Sequence, residues 1–260
     1  MRVLMIGDVI GRPGRRAVRI IVPELRSDLQ IDLVIANGEN SAGGAGLTSK
    51  TAKELFSSGV DVITTGNHIW DQKEIIPHLE TEAPILRPSN YPPEAPGHGH
   101  VDMGNALVIN LIGRVFMGTF DCPFRAVDSL LESEGGLPKA VIVDMHAEAT
   151  SEKAALAWHL DGRVSAVLGT HTHVATADAR ILPGGTAFVS DVGMAGPVNS
   201  IIGVEPAAVL ERFLTQMPKR LKVAKKGPTL FNSVMVDIDD GSGRATAIER
   251  VDREIEGDDA

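Results

Sequence analysis

Apolar and polar positions along the first seventy residues follow two alternating rhythms. Short apolar runs at 3–6, 33–36 and 60–64 read as strands, and amphipathic stretches near 17–29 and 49–58 carry helical periodicity. This is α/β grammar. Thr48 can cap the second helix and Gly59 can end it. Residues 84–104, rich in Pro, Gly and His, read as a long surface excursion beside a site or in an interface. From 106 to 118 two apolar runs flank Gly113-Arg114, which predicts a hairpin. A helix near 126–133, a strand at 140–144, a helix at 152–160 capped by Thr150 or Ser151, and a strand at 166–168 come next. The last third adds a run at 187–190, a helix near 206–217 and two strands near 233–238 and 245–252. No repeat or linker divides the chain, so the expectation is one domain over 1–253 and a loose acidic tail over 254–260.

Composition narrows the functional class. A chain of 260 residues with 43% hydrophobic residues can bury a substantial core. Its formal charge of -9 opposes a stable complex with nucleic acid, while a small anionic ester remains compatible if bound metals reverse the sign locally. Cys122 is the single cysteine, which fits a reducing compartment, and no apolar run is long enough for a signal peptide or a membrane span. A cytoplasmic protein is expected.

The chemistry lies at the strand ends. Five apolar runs stop within a few residues of metal-competent side chains: Asp8, then Glu39 and Asn40, then Asn67 and His68, then His146, then His171 and His173. Residues just past the carboxyl ends of neighbouring parallel strands meet in one crevice. Gly7, Gly38, Gly66 and Gly169 precede several of them, where glycine permits a sharp turn and leaves room for an ion. Oxygen and imidazole donors without thiolates favour Fe or Mn, with Zn or Mg as alternatives. Two cations about 3.5 to 4 Å apart need a bridging carboxylate, for which Glu39 is the candidate, and together they clamp a phosphate ester and make a water nucleophilic for in-line attack. The leaving alkoxide needs a proton, and His68, next to Asn67 and not itself a ligand, is the candidate acid.

These residues resemble a known series. Gly7-Asp8, Gly38-Glu39-Asn40, Gly66-Asn67-His68, His146 and Gly169-Thr170-His171-Thr172-His173 are similar to the motifs of calcineurin-like metallophosphoesterases. Asn37-Gly38-Glu39-Asn40 and Asp191-Val192-Gly193-Met194 narrow the resemblance to the YmdB-like branch across nearly the whole chain. The resemblance implies an α-β-β-α sandwich of two mixed sheets in four layers, and 2',3'-cyclic-nucleotide phosphodiesterase activity. It implies one metal on Asp8, Glu39, Asn40 and His173, another on Glu39, Asn67, His146 and His171, and His68 as proton donor. Where the wider superfamily has Asp-x-His, this chain has Ile10, and the amide oxygen of Asn40 stands in for the missing ligand.

Simpler roles compete for several residues. Asp8 could cap the following helix, and Gly11-Arg12-Pro13-Gly14 lacks the spacing of a dinucleotide loop. His98 and His100 read as loop residues, His78 and His159 as helix-surface or packing residues, and 219–226 as a solvated basic helix end. The glycine-rich stretch 191–203 reads equally as a substrate-facing loop or a surface turn. The same dimetal centre would serve a phosphomonoesterase, and an inert one would serve a nucleotide-sensing regulator. Long loops make a homo-oligomer plausible.

Overall fold

The structure is a computed structural model that describes residues 1–81, 83–133 and 136–257. The first half runs β1 (Arg2–Ile6), β2 (Asp8–Val9), α1 (Gly11–Asp28), β3 (Leu33–Asn37), α2 (Ser49–Ser57), β4 (Val62–Thr64), α3 (Ile76–Leu79), β5 (His100–Asp102) and β6 (Ala106–Ile112). Next come α4 (Pro123–Ser133), β7 (Ala140–His146), α5 (Thr150–His159), β8 (Ala166–Thr170), β9 (Arg180–Ile181) and β10 (Ala187–Val189). The chain closes with β11 (Met194–Pro197), α6 (Pro206–Thr215), β12 (Thr229–Phe231), β13 (Ser233–Ile238), β14 (Ala245–Arg250) and β15 (Arg253–Ile255).

The strands form two mixed sheets, ordered β14-β13-β1-β3-β4 and β5-β6-β7-β8-β10-β9, and a small third sheet, β15-β12-β11-β2. In the first, β1, β3 and β4 run parallel; in the second, β6, β7, β8 and β10 do. Period-two alternation along each strand builds the layers. On one face of the first sheet Leu4, Ile6, Val34 and Ile63 pack on Val18, Val22 and Leu25 of α1 and Leu55 of α2. Between the sheets Val3, Met5, Ile35 and Val62 meet Val108, Ile142 and Leu168. On the far side Ile109, Val143 and Val167 cover Val127 of α4 and Leu156 of α5. The result is the expected α-β-β-α sandwich, with the small third sheet added at its end.

The face between the sheets changes character along the strands. Two-residue steps carry β3 from Leu33 and Ile35 to Asn37, β7 from Ala140 and Ile142 to Asp144 and His146, and β8 from Ala166 and Leu168 to Thr170. All four polar residues at these ends are buried. Register keeps them level, with Asn37 opposite Thr64 and His146 opposite both Ile112 and Thr170. A polar layer therefore closes one end of an apolar one.

Several expectations change. The hairpin at 106–118 does not form: β6 pairs antiparallel with the upstream β5 and parallel with β7. Beyond it, the Glu152 carboxylate takes the backbone N–H groups of Arg114 (3.0 Å) and Val115 (3.1 Å), which a returning strand would have used. The excursion at 84–104 is partly internal, since Ile85, Leu86, Arg87 and Asn90 are buried. α1 begins at Gly11, earlier than its apolar periodicity suggests, and neither Thr150 nor Ser151 caps α5, whose N-cap is Ala149. The acidic tail is not loose from its start, because Arg253–Ile255 pairs with β12; residues 258–260 lie outside the described ones. Thr48 does cap α2, in a reciprocal capping box with Thr51.

The inter-sheet layer predicts its own sensitivity. Ile142→Ala should cost about 2–5 kcal/mol, because it opens a cavity where neither sheet can collapse. Urea unfolding measures this, and a loss below about 1 kcal/mol would contradict the packing described.

Candidate metal centre

Three of the five strand ends that carry candidate ligands belong to one sheet and two to the other. β1, β3 and β4 deliver Asp8, Glu39 with Asn40, and Asn67 with His68; β7 and β8 deliver His146, and His171 with His173. The crevice expected within one sheet is thus formed by two sheets facing each other. Asp8 caps no helix, since α1 has Ile10 at its N-cap and no side-chain cap.

All eight predicted residues join one chain of contacts. At one end Asp8 Oδ1 lies 3.3 Å from Asn40 Nδ2 and 3.5 Å from His173 Nε2, and Asp8 Oδ2 accepts the His171 backbone N–H at 3.0 Å. At the other, His146 Nε2 is 3.0 Å from Glu39 Oε1, 3.1 Å from Asn67 Oδ1 and 3.1 Å from His171 Nδ1. Glu39 Oε2 accepts the backbone N–H of His68 at 2.9 Å. Glu39, His146 and His171 present ligand atoms within 4.8 Å of one another, a group able to hold a metal ion. Asn40 turns its amide nitrogen, not the expected oxygen, toward Asp8 and His173. A flip of the amide exchanges the two.

Proton positions show what this end of the site lacks. The Thr170 hydroxyl donates to Asp144 Oδ1 at 2.7 Å, so at its 2.9 Å contact with His146 Nδ1 it accepts, and Nδ1 carries the hydrogen. The Nε2 of a neutral His146 then offers a lone pair. His171 Nε2 lies 3.1 Å from Glu148 Oε2, and with its proton on that side the ring offers a lone pair from Nδ1 as well. Glu39 Oε1 is buried with no donor aligned on it. Two imidazole lone pairs, a carboxylate oxygen and an amide oxygen therefore converge, and a cation among them satisfies all four. The donor set fits a metal.

The electrostatics agree. Burial alone would raise the Asp8 carboxyl, but the adjacent His173 charge and hydrogen bond hold it well below the usual range. Burial likewise opposes ionisation of Glu39, and His146 overrides it. In return, although burial disfavours their charged forms, Asp8 lifts His173 to about 9 and Glu39 and Asp8 raise His146. His171 is pushed down to about 4 by burial and by His146. Two buried anions are drawing positive charge onto neighbouring imidazoles.

Residues to which the sequence assigned no role, some within the quoted motifs and some outside them, hold these groups in place. His171 and His173 adopt φ of 100° and 64°, a region that costs a non-glycine residue roughly 1–3 kcal/mol. Asp191 secures the turn between them, its Oδ2 accepting Thr172 N at 3.0 Å and Thr172 Oγ1 at 2.8 Å. Lys153 Nζ binds the same oxygen at 2.7 Å, and both members of this ion pair are buried. The two positions in the first turn of α5 thus serve two loops, Glu152 the 113–115 segment and Lys153 the histidine turn. Asn37 donates to Asp144 (3.3 Å) and Thr170 (3.4 Å) beneath His146. Asp144, pushed up to about 6 by burial, was detectable two residues before His146 on the same strand face; nothing in the sequence marks Lys153.

The four glycines act through space rather than turning, since none has positive φ. A Cβ on Gly66 would lie 2.0 Å from His146 Cδ2, and one on Gly169 would lie 1.8 Å from Ser190 O. His68 Nδ1 meets Asp71 Oδ2 at 2.8 Å, which fixes the ring and leaves Nε2 without a partner among the described residues. His159 binds Asp128 and His98 is tied through its main chain to Leu86 and Arg87, while His100, expected in a loop, opens β5; none of the three joins the contacts of the site. The 191–203 stretch is partly structural, as β11 is buried, yet it reaches the site through Ile202, whose carbonyl accepts from His173 Nδ1 at 2.9 Å.

Comparison with known proteins places this geometry. A family model described as YmdB-like protein matches residues 4–251. The chain is 48% identical over 255 residues to a 2',3'-cyclic-nucleotide 2'-phosphodiesterase of Bacillus subtilis (strain 168), covering 96% of each. It superposes with a TM-score of 0.91 on a hypothetical protein from Thermus thermophilus, at 48% identity over 99% of this chain and 100% of that one. A novel phosphatase from Mycoplasma pneumoniae gives 0.92 at 33% identity, covering 100% and 95%. The sulfate thiohydrolase SoxB of a Thermus species shares only the fold, with a TM-score of 0.55 and 12% identity over 92% of this chain and 42% of its own.

The Asp8–His173 pair makes stability depend on pH. With metal chelated, His173 has a folded-state pKa of about 9 against an ordinary 6.5, so its contribution is complete below pH 6.5 and disappears as pH rises through about 9. Thermal unfolding of chelated protein should therefore show Tm falling over that window, a fall that added metal suppresses; a flat profile would contradict the pairing. Lys153→Met should weaken metal affinity by about 10–100-fold in equilibrium dialysis, because the histidine turn loses its anchor. Unchanged affinity in the folded variant would show that the turn holds without it.

Proposed function

The chain belongs to the YmdB-like protein family, and on that premise we propose that it hydrolyses small phosphate esters, with 2',3'-cyclic nucleotides as its substrates. The observation that carries this reading is the convergence of Glu39 Oε1, Asn67 Oδ1 and His171 Nδ1 on His146 Nε2 within 3.0–3.1 Å, with the Glu39 oxygen buried and without an aligned donor. Asp8, Glu39, Asn40 and His173 would hold one divalent ion and Glu39, Asn67, His146 and His171 a second, with Glu39 shared. Iron or manganese suits these oxygen and imidazole donors, with zinc or magnesium as alternatives. Two such ions would supply Lewis acidity toward the phosphoryl oxygens and would lower the pKa of a bound water.

The protein's own groups do the rest. Hydrolysis forms a bond from water oxygen to phosphorus and breaks the bond from phosphorus to a ribose oxygen, which leaves as a poor anion. His68 supplies its proton from Nε2, while Asp71 accepts from Nδ1 and holds the ring in place. The hydrogen bond from His68 N to Glu39 Oε2 ties this acid to the ligand set. The 48% identity to the Bacillus subtilis enzyme supports the cyclic diester over other esters. A phosphomonoesterase is the second reading, favoured by the likeness to the Mycoplasma pneumoniae phosphatase. No helix of the described residues is long and apolar enough to cross a membrane, in keeping with a small dissolved substrate and the proposed cytoplasmic location.

Steady-state rates on 2',3'-cyclic AMP, 3',5'-cyclic AMP and p-nitrophenyl phosphate separate the readings. Activity concentrated on the first is expected, and activity confined to the monoester would replace the diesterase reading. His68→Ala should keep its metal content and lose about 100-fold or more in turnover. Equal turnover would remove His68 from the chemistry, whereas Asp8→Ala should lose metal itself.

A further inference from the structure

Every residue from 210 to 222 is exposed, and of α6 only Val209 is buried. The exposed set includes Leu210 (53%), Phe213 (72%), Leu214 (84%) and Met217 (64%). This segment springs from a narrow stem, in which Glu205 N binds Lys222 O at 2.9 Å, Ala224 N binds Gly203 O at 3.0 Å, and Val204 bridges Val223. A helix of ten residues is marginal in water unless another surface covers its apolar side, and the body of this chain does not cover it. Large side chains exposed together in this way mark an interaction surface.

Charge identifies the partner's chemistry. Residues 206–226 hold Arg212, Lys219, Arg220, Lys222, Lys225 and Lys226 against Glu211 alone, in a chain with 34 acidic and 25 basic residues. The arm is basic and apolar, and the body it projects from carries nearly all of the acid. We propose that this arm docks on the acidic body of a second copy of the chain, each copy lending its arm to the other. Reciprocal exchange preserves two-fold symmetry and keeps the two basic arms off one another. The arm with its stem is comparable in length with the ~20–30 residues a side of a standard interface. Its root lies directly after Ile202, whose carbonyl holds His173, so the interface adjoins the metal centre.

Light scattering coupled to size exclusion tests this on the full chain, comparing wild type with the double variant Phe213→Asp and Leu214→Asp. The wild type should elute at a multiple of the chain mass, and the variant at the monomer mass with an unchanged circular dichroism spectrum. Raised salt should weaken wild-type association, because part of the attraction is ionic. A wild type that is monomeric at micromolar concentration would overturn the proposal. If that monomer sediments with phosphatidylglycerol vesicles but not phosphatidylcholine ones, the arm is a membrane contact instead. A variant that remains associated would place the interface elsewhere, which also overturns it.

Discussion

Two carboxylates, Asp8 and Glu39, sit almost wholly out of water, and the architecture around them keeps positive charge within reach. Taking an ion of this size from water costs several kcal/mol even after relaxation, so an unanswered pair would expel itself from the fold or take up protons. Here the carboxylates keep their charge and His146 and His173 are driven toward protonation in response. Divalent cations would answer the same field more completely, and would turn a liability of the buried interior into chemistry.

The sandwich makes that burial tolerable by confining it. Along β3, β7 and β8 the inter-sheet face is apolar at its first two positions and polar beyond them, so the cost falls at one end of the layer. Beneath the ligands, Asn37, Asp144 and Thr170 bond to one another and fix the His146 ring from its far side. Beside them, a buried Lys153–Asp191 pair restrains a histidine turn with two left-handed residues. Breaking such a pair is expensive, which makes it a firm anchor even where its net contribution to stability is small.

Much of this was legible in the sequence because strand ends and their polar residues are local features. The runs before Asp8, Glu39, Asn67, His146 and His171 each announced a strand together with the polar residue at its end, and Thr48 announced its helix. The features that escaped depend on partners distant in the chain. Glu152 captures the N–H groups of Arg114 and Val115 and abolishes a hairpin that the local pattern favours. Lys153 reads as an ordinary helix lysine until the fold brings Asp191 to it. The amide of Asn40 and the spacing role of Gly66 likewise depend on neighbours that only the folded chain supplies.

The central claim is that these strand ends encircle a pair of cations shared through Glu39. Anomalous diffraction from a manganese-loaded crystal addresses it most directly. Two peaks, one bonded to His146 Nε2 and the other to His173 Nε2 with the Glu39 carboxylate between them, are the predicted result. A single peak away from these atoms, or none at full loading, would contradict the account.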